Sequence, residues 1–469
     1  MVFSSPIFLF VFLPVTYLGY RMLPGLPLRN AWLTLTSLIF FSFGQLPYLI
    51  LLLVSVLLNF LFGLWLQTGR CHRRLAVGLA SAANLLLLGT FKYVDFVIST
   101  LNSLSGAELA LTGIVLPIGI SFYTFQGMSY VIDVYRHPEW GTRSPGKLLL
   151  YISFFPQLIA GPIVIYHDVA DQIDRRELTS ELTLSGLRRF ILGFGKKMIL
   201  ANSTGEIADA VFALNADQLD VRLAWLGAVC YTLQIYFDFS GYSDMAIGLG
   251  RLFGFRFLEN FNLPYTAKSI KEFWRRWHIS LSSWFRDYLY IPLGGSRKGE
   301  MRTNLNKFIV FFATGLWHGA NWTFVLWGLW HGLFSTLEGL GAIPKRLRES
   351  PLGHVYTMLV VVLGFTLFRA DSLSQAGMMF AAMFTGFSIQ PANTLVLIAL
   401  LDTKAIFLLV TALLFAFGIP QWVWSQIQER NLSQRVGEMT AAVGYSALFG
   451  VSILTLAGAT FNPFIYFQF

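Results

Sequence analysis

Charge is scarce in this chain. Asp, Glu, Lys and Arg make up only 13% of its 469 residues, against roughly 25% in an ordinary soluble domain. Hydrophobic residues make up 55%, and the mean hydropathy is +0.60. Stretches such as Trp32–Trp65 and Ala405–Trp424 carry no charge at all, and ~20 apolar residues suffice to span a bilayer as a helix. The length alone would suggest two or three soluble domains, but uncharged runs of this kind override that expectation. They are continuous rather than alternating, which excludes a transmembrane barrel. The chain reads as an all-α polytopic membrane protein.

Cysteine is equally scarce. Cys71 and Cys230 are the only two; they fall in different segments and belong to no spaced motif. A thiolate-rich metal site is excluded, and a disulfide framework is disfavoured. There is no G-x-S-x-G nucleophile elbow, no Walker A loop and no H-E-x-x-H pair, so serine-hydrolase, P-loop and zincin chemistry are set aside. No fixed-period repeat or low-complexity tract stands out. The apolar N-terminus lacks the basic n-region and small-residue cleavage site of a signal peptide, and is read as a retained first membrane segment. The formal charge of +9 places basic residues against the cytoplasm and anionic head groups; nucleic-acid binding does not suit so apolar a chain.

Hydropathy marks segments near residues 6–20, 31–45, 48–66, 75–91, 111–132, 148–165, 222–250, 308–317, 322–340, 356–369, 405–424 and 440–460. They predict about eleven spanning helices. Several segments are too short or too polar to span simply, so re-entrant or interfacial pieces are expected as well. We read residues 1–469 as a single membrane domain: N-terminal helices over 1–250, a basic amphipathic segment over 251–307, histidine-bearing helices over 308–340 and C-terminal helices over 341–469. The clusters Arg70–Arg74, Arg175-Arg176, Arg188-Arg189 and Lys196-Lys197 are candidates for the cytoplasmic side.

Within Arg251–Lys307, eleven Lys or Arg face four Asp or Glu, amid many aromatics. Trp274, Trp277, His278, Leu281, Phe285 and Leu289 recur at three- and four-residue steps, as on one amphipathic helix. Leu263-Pro264 marks a turn before it, and Pro292 with Gly294-Gly295 ends it.

Next comes GLWHGANWTFVLWGLWHG, Gly315–Gly332. It is rich in tryptophan, yet it keeps His318, Asn321 and His331. Taken as one straight helix, it places the two histidines roughly 140° apart and sets Asn321 on the His318 face. Gly315/Gly319 and Gly328/Gly332 have the small-xxx-small spacing that lets helices approach closely. Intramembrane ionisable groups are functional candidates by default. The plainer reading is that such histidines merely bridge helices by hydrogen bonds. His278, among Trp274, Trp277 and Leu281, reads either as a satisfied interfacial histidine or as a second reactive imidazole. In Tyr236–Gly250, Asp238 and Asp244 suit structural caps, a metal site or a proton path. His167-Asp168 looks incidental. With no nucleophile motif present, a buried neutral imidazole acting as general base is the most economical chemistry, in a group transfer within the membrane.

Phe273–Gly295 (FWRRWHISLSSWFRDYLYIPLGG) followed by Leu316–Thr323 (LWHGANWT) resembles the membrane-bound O-acyltransferases, and within them the bacterial alginate O-acetyltransferase branch. The start MVFSS, the stretch YFDFSGYSDMAIG and the late LFRADSLSQA fit the same branch, so the resemblance covers essentially the whole chain.

The resemblance implies that His318 is the catalytic base and that His278, forty residues upstream, is its polar companion; His331 is expected to be structural. It implies a ring of helices around a tunnel, in the bacterial inner membrane. Acetyl-CoA would be the donor from the cytoplasm, and no cofactor would be tightly bound. A periplasmic or membrane-anchored transferase would complete acetylation of an exported polysaccharide, alginate first and bacterial cellulose second. Lys271, Arg275 and Arg276 are candidate phosphate partners, or simply snorkelling cations, and Asn321 would help hold the base in place. The alternatives are an acyltransferase for a lipid-linked or peptidoglycan acceptor, and a proton-coupled transporter relaying through His278, His318 and Asp238. Against the transporter, the two halves of the chain show none of the relatedness common in transporters.

Overall fold

A backbone in lipid must satisfy its own hydrogen bonds, and every regular element among the described residues is helical. The computed structural model describes residues 1–69, 72–159, 161–428, 434–458 and 464–465. Arg70 and Cys71 of the first basic cluster, and the last residues of the segment expected at 440–460, lie outside them.

Among the described residues, four helices are long and apolar enough to cross a bilayer alone: Leu46–Gln67, Arg73–Ser105, Leu352–Arg369 and Gly437–Gly458. Pro391–Leu400 and Thr403–Ala416, bent by 69° at their junction, make a fifth if taken together.

Other hydropathy segments are broken for legible reasons. The apolar stretch at 111–132 becomes helical only at Ile120, after Pro117 and the left-handed Gly119 (φ 81°). The stretch at 148–165 holds two short helices, Pro145–Ser153 and Phe155–Leu158, interrupted at Phe154. The stretch at 405–424 breaks at Gly418, whose φ of 74° suits glycine. The helical run from Ser180 to Phe212, which contains a π-helical turn at Lys196–Ala201, was invisible to hydropathy because charged residues interrupt its apolar face.

The residues group into two compact units: Met1–Phe190 with Ser243–Glu259, and Ile191–Tyr242 with Asn260–Phe469. In the first, Phe3, Phe8, Phe12, Phe40 and Phe155 form one aromatic cluster. Asn59 and Asn84, on neighbouring apolar helices, exchange amide hydrogen bonds of 3.1 and 2.8 Å. Each thereby satisfies a polar group that would be costly alone in an apolar setting.

The second unit is built around a helical hairpin, Glu300–His318 and Trp322–Gly339. Its arms meet at glycines: a Cβ on Gly328 would stand 3.0 Å from Gly315 Cα. The small-residue spacing thus does bring two backbones together. Leu352–Arg369 packs on the second arm, where the Trp330 indole donates to the Val360 carbonyl at 2.9 Å.

Candidate active site

Two expectations about the site's local structure fail, and both failures form the site. The amphipathic helix expected across Trp274–Leu289 is two helices, Ile270–Arg276 and Ile279–Phe285, followed by a π-helical turn at Arg286–Tyr290. The break falls at His278, whose φ of 44° and ψ of 57° are left-handed. Few non-glycine residues adopt that conformation, and it persists only where surroundings impose it.

Here the surroundings are Asn260. Its backbone carbonyl accepts from Ile279 N–H at 3.0 Å, and its side-chain oxygen accepts from Ser280 N–H at 3.1 Å. Asn260 therefore caps the second helix from eighteen residues upstream. The Ser280 hydroxyl also donates to Asn260 Oδ1, at 2.9 Å, and His278 Nδ1 lies 3.2 Å from the same oxygen.

The preceding helix is anchored from outside too. Ser269 Oγ accepts from Glu272 N–H at 3.1 Å. The buried Glu338 carboxylate accepts from Ile270 and Lys271 N–H at 2.6 and 3.1 Å. Three of its first N–H groups, which no helix can pair internally, are thus satisfied.

The stretch Gly315–Gly332 is likewise not one helix. It turns at Gly319–Asn321: His318 ends the first arm, Gly319 is extended, and Asn321 caps the second arm by accepting from Thr323 N–H at 3.1 Å. Its amide donates to the Asp371 carbonyl at 3.0 Å. Asn321 therefore shapes the turn after His318 rather than sharing a helical face with it. The argument that turned His331 away from His318 falls with the straight helix. Both rings touch Trp327, with centroids at 4.9 Å for His318 and 5.3 Å for His331.

His278 and His331 are fully buried and His318 nearly so. Trp317 links the first and the third: its ring lies 6.0 Å from His278 and 5.0 Å from His318. Phe239 meets His278 edge-on at 4.6 Å, and Phe368 meets His318 at 5.3 Å. His278 lies outside the spanning helices. Burial pushes its imidazole down to about 3, so the ring is neutral near pH 7. His331 stacks on Phe273 at 6.1 Å and meets Trp274 at 5.3 Å.

Of the three basic candidates, Arg276 is engaged by Glu272 at 2.9 Å and by the Asn262 carbonyl at 3.2 Å. Lys271 and Arg275 are exposed.

Asp238 and Asp244 do not form a pair. Buried Asp238 bonds Lys197 at 2.5 Å and accepts from Ile465 N–H at 2.8 Å. Lys197 also lies over the Phe464 ring. Asp244 accepts from Arg189 at 2.8 Å, in the other unit. Each acid thus serves an ion pair, and no group of three or more His, Cys, Asp or Glu among the described residues could hold a metal. His167 is not incidental: its ring bridges Asp133 at 3.1 Å and Asp168 at 3.4 Å. Sequence reasoning missed Asn260, Trp317, Trp327 and Glu338. The sequence signal for Asn260 was slight, because it stands between Glu259 and Phe261 in a mixed polar and aromatic stretch before Leu263-Pro264.

The pocket thus holds a neutral, externally clamped imidazole and a second imidazole at a helix end, joined through one tryptophan. The profile of the MBOAT, membrane-bound O-acyltransferase, family matches residues 141–342, a span that contains Asn260, His278, Trp317, His318, Trp327 and His331. Over their full lengths, the chain is 42% identical to a probable alginate O-acetylase AlgI of Pseudomonas putida and 41% identical to that of Azotobacter vinelandii. It is 37% identical to a peptidoglycan O-acetyltransferase of Helicobacter pylori, over 80% of this chain and 78% of that one. With full-length similarity at this level, and with both histidine motifs inside the matched region, the chain belongs to the membrane-bound O-acyltransferase family, in the branch of the alginate O-acetylases.

Proposed function

We propose that this O-acyltransferase carries acetyl groups from acetyl-CoA, entering from the cytoplasm, through a tunnel of about eleven spanning helices in the bacterial inner membrane. A periplasmic or membrane-anchored transferase then places them on an exported polysaccharide, with alginate the first choice. The names of the full-length relatives support the polymer and the acetyl group. The carrying observation is that Trp317 contacts both His278 and His318 in a water-poor aromatic pocket.

In the reaction, His318 takes the proton of an acceptor hydroxyl as its oxygen attacks the thioester carbonyl. The C–O bond forms, the C–S bond breaks, and the proton passes on to the leaving thiolate. The transient imidazolium lies at the carbonyl end of its helix, where a cation is favoured by about 0.3–1 kcal/mol. His278, neutral and fixed, orients the hydroxyl. Exposed Lys271 and Arg275 offer charge to the donor's phosphates.

The test is transfer of label from radiolabelled acetyl-CoA by protein in nanodiscs, with candidate partner transferases added. His318→Ala is expected to lower turnover by roughly 10²–10⁴-fold at unchanged folded yield. Undiminished turnover in that variant would reject His318 as the base.

A further inference from the structure

Which nitrogen of His278 is basic is decided by Asn260. The Asn260 side chain cannot be flipped, because its Oδ1 position receives the Ser280 backbone N–H at 3.1 Å, a group that can only donate. The Ser280 hydroxyl donates its single proton to the same oxygen, at 2.9 Å, so at its 3.4 Å approach to His278 Nδ1 it offers only a lone pair. Nδ1 therefore faces two acceptors, Asn260 Oδ1 at 3.2 Å and Ser280 Oγ. A neutral imidazole satisfies them only by carrying its proton on Nδ1. The left-handed backbone at His278 and the two N–H groups of the following helix are held by the same residue.

We propose that Asn260 is a positioning residue that locks His278 as the Nδ1–H tautomer and so makes Nε2 the hydrogen-bond-accepting nitrogen of the site. The proposal rests on the transferase reading for its catalytic meaning. In that reading, Nε2 holds the acceptor hydroxyl in the ground state by accepting its hydrogen bond, and the hydroxyl turns that same proton to His318 as its oxygen attacks. Hydrogen-bond partners that set a tautomer in this way are known from catalytic and metal-binding histidines. Asn260 touches neither substrate nor the reacting atoms; it acts through His278.

The direct test is the ¹⁵N spectrum of histidine-labelled wild-type protein in lipid, with the His278 resonances assigned by their loss in His278→Gln. A protonated Nδ1 and an unprotonated Nε2 are expected; a protonated Nε2 in the wild type overturns the proposal, whatever the protein catalyses. Asn260→Ala is expected to release the tautomer and to lower kcat at least ~10-fold. The upper bound is about 10⁴-fold, the loss seen when a catalytic histidine is held in the wrong tautomer. KM for acetyl-CoA should not change. Asn260→Asp keeps the accepting oxygen and should restore both the Nδ1–H signature and most of kcat. If Asn260→Ala leaves the tautomer and kcat as in the wild type, or if Asn260→Asp restores folding but not the signature, the assignment is wrong. An Nδ1–H wild type that transfers no acetyl group with any partner upholds the assignment and sinks the transferase reading instead.

Discussion

Replacing Gly328 by alanine tests whether the hairpin crossing sets the position of His318. A Cβ there would overlap the Phe311 carbonyl oxygen and stand 3.0 Å from Gly315 Cα. Both obstacles are backbone, so the arms must separate by about 1 Å to restore ordinary contact. Such overpacking costs about 1–3 kcal/mol, and the better helix propensity of alanine returns about 1 kcal/mol. The variant should therefore fold, with a melting temperature slightly lowered. His318 lies three residues beyond Gly315 on the displaced arm, and a 1 Å misplacement of a reacting group can cost about 10²-fold.

Gly332→Ala is the control. It lies one turn further along the same helix and gains the same propensity. Its Cβ would meet only side-chain carbons, Phe311 Cβ at 3.1 Å and Phe308 Cδ2 at 3.5 Å. Label release from acetyl-CoA should fall about 10²-fold in Gly328→Ala and hold in Gly332→Ala. If the two variants turn over within threefold of each other at equal folded yield, the crossing does not position the base.

The remaining expectations concern groups around the site. Asp238→Ala strands buried Lys197 and should lower stability by about 3–5 kcal/mol; in thermal unfolding, the double change Lys197→Met, Asp238→Leu should recover most of that loss. Glu338→Gln leaves one carboxamide oxygen for the two N–H groups that a carboxylate now serves. A loss of about 1–3 kcal/mol is expected, with turnover falling in parallel as the His278 segment loosens; an unchanged melting temperature would refute the anchoring role. His331→Phe keeps the ring stack on Phe273 and is expected to hold turnover, so a loss at equal folded yield would move His331 into the reacting machinery.

Much of this protein was legible in its residues. Uncharged runs of spanning length fix the solvent as lipid and the backbone as helix, because no other open structure satisfies its hydrogen bonds there. The two histidine motifs point to the family on their own, and the glycine spacing foretold a close helix crossing. What periodicity could not reach were the breaks. Trp274 to Leu289 keeps a helical period through a point where the helix stops. Periodicity reports only which side chains share a face, whereas the stop is imposed by hydrogen bonds from Asn260, which is distant in sequence. The same holds at Gly319–Asn321: an apolar run reads as continuous helix until a second arm is there to fold back against.

The sequence by itself thus determined the environment and the helical class, since each follows from local composition and spacing. Only the tertiary structure decided that His278 sits at a left-handed kink, that His318 and His331 share Trp327, and that Asp238 belongs to Lys197. Those are relations between segments far apart in the chain, set by packing and by the need of every buried polar group for a partner.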